Sequence, residues 1–230
     1  YVGYAESLDQ PEKVTPVAQP APKPPRDARP QKLAVTAIED WLRDPYTIYA
    51  KYILGLAPLD AVDMPLSAAD RGSAIHNALG DFTKLYPAKL PDDPADALRV
   101  IGQTHFAPLM ERPEARALWW PRFKRIAAWF AEWEASRRAH IVKIDAEVSG
   151  SIPIPIDGER NFTLTARADR IEHLGDGRFA VVDYKTGTPP SSKQVRLGLS
   201  PQLTLESAIL RGGGFDGIPA GVSISELLYV

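Results

Sequence analysis

The chain contains no cysteine among its 230 residues. Disulfides, thiolate zinc sites and cysteine-ligated iron–sulfur clusters are therefore excluded. It also lacks an apolar run long enough to span a bilayer, so we expect no membrane partner. The net charge is only −2, so no global field attracts nucleic acid. A polyanionic substrate would need a local basic groove and a cation.

Proline is abundant at the start of the chain, at positions 11, 16, 20, 22, 24, 25 and 30. This composition favours extended chain and cannot bury a core. We therefore predict a disordered or extended linker over residues 1–32, with a docking arm as the alternative. The globular domain is predicted over 33–230. The chain begins at Tyr1 and ends inside an apolar run, so we expect a fragment of a longer polypeptide.

Hydrophobic periodicity divides the predicted domain into two parts. Residues 33–140 show helical spacing, including a tryptophan-rich helix over 113–138, and residues 141–230 are mainly strand-like. Ser149 and Gly150 predict a break between two strands, and Pro153 and Pro155 predict an edge position. This order of elements predicts an α/β (α+β) fold with one mixed β-sheet flanked by helices.

One apolar strand, Phe179–Gly187, carries two charges. Asp183 and Lys185 are two residues apart and therefore point to the same side. A three-residue loop over 175–177 would pair Leu174 with Arg178, and the same register places Asp169 opposite Asp183. Facing carboxylates repel each other unless a divalent cation lies between them. The alternative is an ordinary ion pair at a sheet edge.

His76, on a predicted helix over 68–86, is a further residue that could bind a metal ion. Taken alone, a histidine beside an apolar helix face is more often a core or surface residue than a metal ligand. It becomes a candidate ligand only together with the carboxylates.

Four motifs occur in an order that resembles a known family. They are Gly72-Ser73-x-x-His76, Ala166-Arg167-Ala168-Asp169-Arg170-Ile171, Asp183-Tyr184-Lys185-Thr186-Gly187, and Gln202-Leu203. Over residues 33–230 the chain resembles the RecB-type nuclease module of the PD-(D/E)XK superfamily. Within it, the stretch around Pro45 and Leu54-Gly55-Leu56 is most similar to the C-terminal nuclease domain of the AddB family.

The resemblance implies a PD-(D/E)XK restriction-endonuclease-like core that binds Mg²⁺ or Mn²⁺. It implies metal ligands at His76, Asp169, Asp183 and the carbonyl of Tyr184. Catalytic roles would fall to Asp169, Asp183, Lys185 and Gln202, with Glu147 supporting the site from the preceding strand. Carboxylate oxygens are the hard ligands that these cations prefer, and a lysine can assist the attacking water.

Two positions depart from the family pattern. Many AddB proteins bind an iron–sulfur cluster, and one of its cysteines corresponds to Asp44 here, so we expect no cluster. The family often has Gln-Leu-x-x-Tyr in the helix after the lysine, whereas this chain has Glu206 in the tyrosine position.

The implied function is hydrolysis of single DNA strands fed by a helicase during double-strand break resection. The expected partners are single-stranded DNA ends, an AddA-type subunit and the rest of the chain, in the cytoplasm at the nucleoid. The alternatives are a silent nuclease fold that only binds DNA or serves assembly, and a Mg²⁺ hydrolase acting on nucleotides.

Overall fold

The computed structural model describes residues 1–8, 16, 18–59, 64–158 and 160–230. Its helices are α1 (Val2–Leu8), α2 (Val35–Arg43), α3 (Pro45–Ile48), α4 (Ala68–Leu85), α5 (Pro94–Phe106), α6 (Trp120–Arg137), α7 (Ser192–Arg196) and α8 (Gln202–Arg211). Its strands are β1 (Lys32–Ala34), β2 (Ile141–Asp157), β3 (Arg160–Leu174), β4 (Phe179–Asp183) and β5 (Ile224–Tyr229). None of these helices is long and apolar enough to cross a membrane.

The five strands form one mixed sheet built around β3. Strand β2 pairs antiparallel with nearly the whole of β3, β1 pairs parallel with its first half, and β4 pairs antiparallel with its second half. Strand β5 then adds in parallel to β4. Helices cover both faces, so the predicted fold class, a mixed sheet flanked by helices, is confirmed.

Two apolar clusters cover the two faces of the sheet. One joins Val35 of α2 and the buried side of α8 to β3 and β4. The other joins α4, α5 and α6 to Val182 and Tyr184 at the end of β4. The end of β4 therefore lies between α4 on one face and α8 on the other.

Helix α4 has a well-defined start. The Ser67 hydroxyl accepts hydrogen bonds from the backbone N–H groups of Ala69 and Asp70, and the Asp70 carboxylate accepts one from the Ser67 N–H at 2.7 Å. This capping box satisfies N–H groups that an open helix end leaves without partners. The capping box fixes where α4 begins, and thereby the position of His76 along the helix.

Two predicted element boundaries are corrected. The tryptophan-rich helix is not continuous: a π-helical turn over Ala115–Trp119 precedes α6, which begins at Trp120 with Pro121 in its first turn. Proline is suited to that position because its missing N–H would have no helical partner there.

Strand β2, in contrast, runs through the predicted break at Ser149 and Gly150. Gly150 bridges to Phe215, and a Cβ at this glycine would lie 2.6 Å from the Phe215 ring. The glycine thus serves close packing rather than a turn. The predicted edge position of Pro153 and Pro155 is confirmed: among the described strands β2 pairs with β3 alone, and its other side is bridged only near Gly150.

The proline-rich segment differs in part from the expected extended chain. Val2–Leu8 is helical, with no buried residue, and the predicted linker over 9–15 and 17 lies outside the described residues. Ten residues of the range 19–31 line a cavity of about 910 Å³ together with residues of α2, α3 and the far ends of β2 and β3. The division into a linker and a domain stays a prediction.

Candidate active site

The hairpin register of the sheet brings the two motif aspartates together. The Leu174 N–H donates to the Arg178 carbonyl at 2.8 Å, and Arg170 pairs with Val182. The next pair in that register is Asp169 and Asp183. Both are buried, with 8% and 3% of their surface exposed. The register predicted from the loop length is the register of the sheet.

His76 lies between two carboxylates. Its Nε2 is 2.9 Å from Asp169 Oδ1 and its Nδ1 is 3.5 Å from Glu147 Oε1. One ligand atom from each of these three residues lies within 4.8 Å of the others. The hydrogen bond to Asp169 raises the pKa of His76, and burial opposes the shift. The two carboxylates thus favour the protonated form of His76.

The backbone of Glu147 adopts an energetically unfavourable conformation. Its φ is +56°, the one left-handed non-glycine residue in the described chain. It sits between the ladder pairs Ala146–Arg170 and Val148–Ala168, and so lies opposite Asp169. Left-handed backbone at such a residue costs about 1–2 kcal/mol and is often found at functional sites.

Two further residues hold the Glu147 carboxylate. Arg167 forms an ion pair with its Oε2 at 2.7 Å. Gly80, one helical turn after His76 on α4, leaves room for it, because a Cβ there would lie 2.9 Å from Oε1. Glu147 is therefore aimed at His76 rather than into solvent.

Asp183 belongs to a second group, together with Lys185 and Gln202. The Lys185 ammonium forms an ion pair with Asp183 Oδ2 at 2.6 Å and donates to Gln202 Oε1 at 3.0 Å. The Gln202 amide N–H₂ donates to Asp183 Oδ1. Burial raises the pKa of Asp183, and the charge of Asp169 adds to the shift while Lys185 opposes it.

Tyr184 joins the two groups through its backbone. Its N–H donates to Asp169 Oδ2 at 2.9 Å. Its buried ring packs edge-on against Phe130, and its hydroxyl lies 3.3 Å from a guanidinium nitrogen of Arg170. These contacts fix the backbone of Tyr184, and thereby the positions of its two neighbours in the chain, Asp183 and Lys185.

The donor set fits a hard divalent cation. Asp169 and Glu147 offer carboxylate oxygens and His76 an imidazole nitrogen, a combination suited to Mg²⁺ or Mn²⁺. Asp183 lies next to this set but has its oxygens turned to Lys185 and Gln202. Its part as a ligand, like the part of the Tyr184 carbonyl, stays a prediction.

Sequence reasoning gave Glu147 only a supporting part and gave Glu206 none. Glu206 stands one turn after Gln202 on α8, is 1% exposed, and accepts a hydrogen bond from the Gln202 amide at 3.2 Å. Burial raises its pKa to about 8, and the charges of Asp183 and Asp169 add to the shift. Its i, i+4 spacing from Gln202 could have indicated that the two side chains lie on the same face of α8.

Comparison with known proteins gives relatives of much greater length. An uncharacterized protein of Rickettsia bellii is 34% identical over 187 residues, covering 81% of this chain and 22% of the relative. An uncharacterized protein of Rickettsia felis is 33% identical over 191 residues with the same coverage. The chain therefore spans about a fifth of the length of these relatives.

Two further comparisons concern a solved structure and a family model. The crystal structure of SSO0001 aligns with a TM-score of 0.29 at 15% identity, covering 69% of this chain and 70% of that one. The pattern of the PD-(D/E)XK nuclease superfamily matches residues 32–228, nearly the whole chain. The chain therefore belongs to the PD-(D/E)XK nuclease superfamily.

Proposed function

We propose that this domain is a divalent-metal-dependent deoxyribonuclease that hydrolyses phosphodiester bonds of single DNA strands. The observation that carries the proposal is that two clusters of side chains lie next to each other at the end of β4. The His76, Glu147 and Asp169 donors form one group, and Asp183, Lys185 and Gln202 form the other. An ordinary edge ion pair would need neither a second carboxylate nor a strained glutamate beside it.

The cation has a general chemical role in such a site. When bound, a divalent cation supplies a Lewis acid for the phosphoryl oxygen and lowers the pKa of a coordinated water.

Lys185 is placed to assist the attacking water. Gln202 accepts one of its three N–H groups and Asp183 supplies the neighbouring negative charge, so an N–H remains for a water or a phosphate oxygen. The Lys185 side chain is 31% exposed, so its ammonium can reach a bound strand. In the hydrolysis the water oxygen bonds to phosphorus and gives up a proton to solvent, the P–O ester bond breaks, and the departing oxygen takes up a proton from solvent.

For the whole protein we propose a role in resection of double-strand breaks. There the domain would cut strands unwound by a helicase of the AddA type, in the cytoplasm at the nucleoid. The AddB-like sequence features and the much greater length of the relatives support this part of the proposal.

Incubation of labelled DNA with the domain tests the activity. We expect cleavage of a single strand with Mg²⁺ or Mn²⁺, none with EDTA, and slower cleavage of blunt duplex. Free nucleotides are the control substrate, and their hydrolysis in place of DNA would contradict the proposal. Tight binding of the strand without any cleavage would instead favour a DNA-binding assembly module.

A further inference from the structure

Glu206 is a buried carboxyl group that the proposed chemistry does not use. Only 1% of its surface is exposed. Its Oε1 accepts a hydrogen bond from the Gln202 amide at 3.2 Å, while its Oε2 has no partner among the described residues. A leucine there would fill the space without the desolvation cost of a carboxyl group, so the carboxyl calls for an explanation.

The surroundings favour the neutral acid. A buried carboxylate is costly, and the charges of Asp183 and Asp169 add repulsion. A neutral carboxylic acid can still accept a hydrogen bond through its carbonyl oxygen. It therefore provides an acceptor for Gln202 without adding a third negative charge beside the two aspartates.

The Gln202 carboxamide makes three contacts, each with a defined direction. Its oxygen accepts from the Lys185 ammonium, and its amide nitrogen, which carries two N–H groups, donates to Asp183 and to Glu206. Contacts at both the nitrogen and the oxygen leave the amide plane little freedom to rotate. Removing the Glu206 acceptor would leave one N–H buried without a partner.

We propose that Glu206 is a positioning residue, which fixes the plane of the Gln202 carboxamide and thereby the place of the Lys185 ammonium. The proposal rests on the proposed function, because the position of Lys185 matters for rate only if this site performs hydrolysis. The geometric part, however, can be measured without any cleavage.

The kinetic test compares parent domain, Glu206→Gln and Glu206→Leu on a labelled single strand with Mn²⁺. Glu206→Gln keeps a carbonyl acceptor, so we expect its kcat within about threefold of the parent, whereas kcat of Glu206→Leu should fall about tenfold, the size of one lost buried hydrogen bond. KM should stay within about twofold for both, because Glu206 is buried away from a bound strand. Ser207→Ala, on the same helix, is the control.

The geometric test uses the side-chain amide resonances of Gln202 by NMR in EDTA, without DNA. We expect slow hydrogen exchange of both amide protons in the parent and in Glu206→Gln, and at least tenfold faster exchange in Glu206→Leu. If the parent does not cleave DNA, this measurement still decides the inference, so failure of the proposed function is distinguishable from failure of this one.

Three outcomes would overturn the inference. The first is Glu206→Leu with the parent's kcat and exchange rates. The second is Glu206→Gln impaired as strongly as Glu206→Leu, which would mean that the carboxyl proton, not the acceptor, matters. The third is a change in KM alone. Should Glu206→Leu not fold, Glu206→Met serves as the second variant without an acceptor, with the same expected results.

Discussion

Three single residues near the end of β4 have raised pKa values. Burial and neighbouring carboxylates raise the pKa of Asp183 and of Glu206, and the hydrogen bond to Asp169 raises that of His76. All three groups thus retain protons more readily in the folded domain. A cation at the candidate donor set would compete with protons for these groups, so we expect its binding to weaken as pH falls.

The first prediction concerns stability against pH in EDTA. Glu206 titrates at about 8 when folded, against an ordinary value of 4.5. A raised folded pKa contributes stability that is complete below pH 4.5 and is lost as pH rises to about 8. One proton accounts for up to about 1.4 kcal/mol per pH unit within that window.

Urea unfolding of parent and Glu206→Gln between pH 5 and pH 9 measures this effect. Stability of the parent should fall with rising pH, and that of Glu206→Gln should fall distinctly less. His76 and Asp183 keep their own contributions in both proteins, so the difference belongs to Glu206. Parallel curves would show that Glu206 ionises normally in the folded domain.

At the scale of elements, α4 brings the candidate metal ligand His76 against the sheet. Gly72, His76 and Gly80 are spaced four residues apart and so share one helix face. A Cβ at Gly72 would lie 2.9 Å from the Thr186 hydroxyl, and one at Gly80 equally close to the Glu147 carboxylate. The two glycines allow this face to approach the sheet closely.

The second prediction is therefore for Gly80→Ala. The added methyl group must displace the Glu147 carboxylate, so the affinity for Mn²⁺ should fall about tenfold, at the lower end of effects seen for residues that orient ligands. The fold should survive, because alanine is favoured over glycine in a helix by about 1 kcal/mol.

Calorimetric titration with Mn²⁺ measures the affinity, and Asn77→Ala, exposed on the same helix, is the control. Unchanged affinity in Gly80→Ala would mean that Glu147 does not take part in binding the cation.

At the scale of the whole molecule, a bound cation should stabilise the fold, because its candidate donors come from α4, β2 and β3 together. The third prediction is that Mn²⁺ at a hundred times its Kd adds about 2.7 kcal/mol. For a domain of this size that corresponds to a rise in Tm of about 5–10 °C.

Thermal unfolding with and without Mn²⁺ tests this, with Asp169→Asn as the comparison. Asparagine keeps an acceptor for the Tyr184 N–H but loses the carboxylate charge, so its Tm should not respond to Mn²⁺. An equal rise in both proteins would place the cation elsewhere.

The sequence allowed a good prediction where local chemistry determines structure. The loop between Leu174 and Arg178 fixed the hairpin register, and strand alternation placed Asp183 beside Lys185. It failed where tertiary packing overrides local signals: Gly150 continues β2 because Phe215 packs on it. The burial of Glu206 could not be predicted either. Helical spacing tells which face of the helix carries a residue, but not how strongly that face is desolvated in the folded domain.

The most direct test of the central claim is the rate of Mn²⁺-dependent cleavage of a single strand by Lys185→Met beside Lys193→Met. Lys193 is an exposed lysine on α7 with no ion pair in the described structure, so its loss removes a similar charge. We predict that Lys193→Met cleaves at nearly the parent rate and that Lys185→Met, folded and still able to bind Mn²⁺, does not cleave measurably. Cleavage by Lys185→Met at the parent rate would contradict the account of the site.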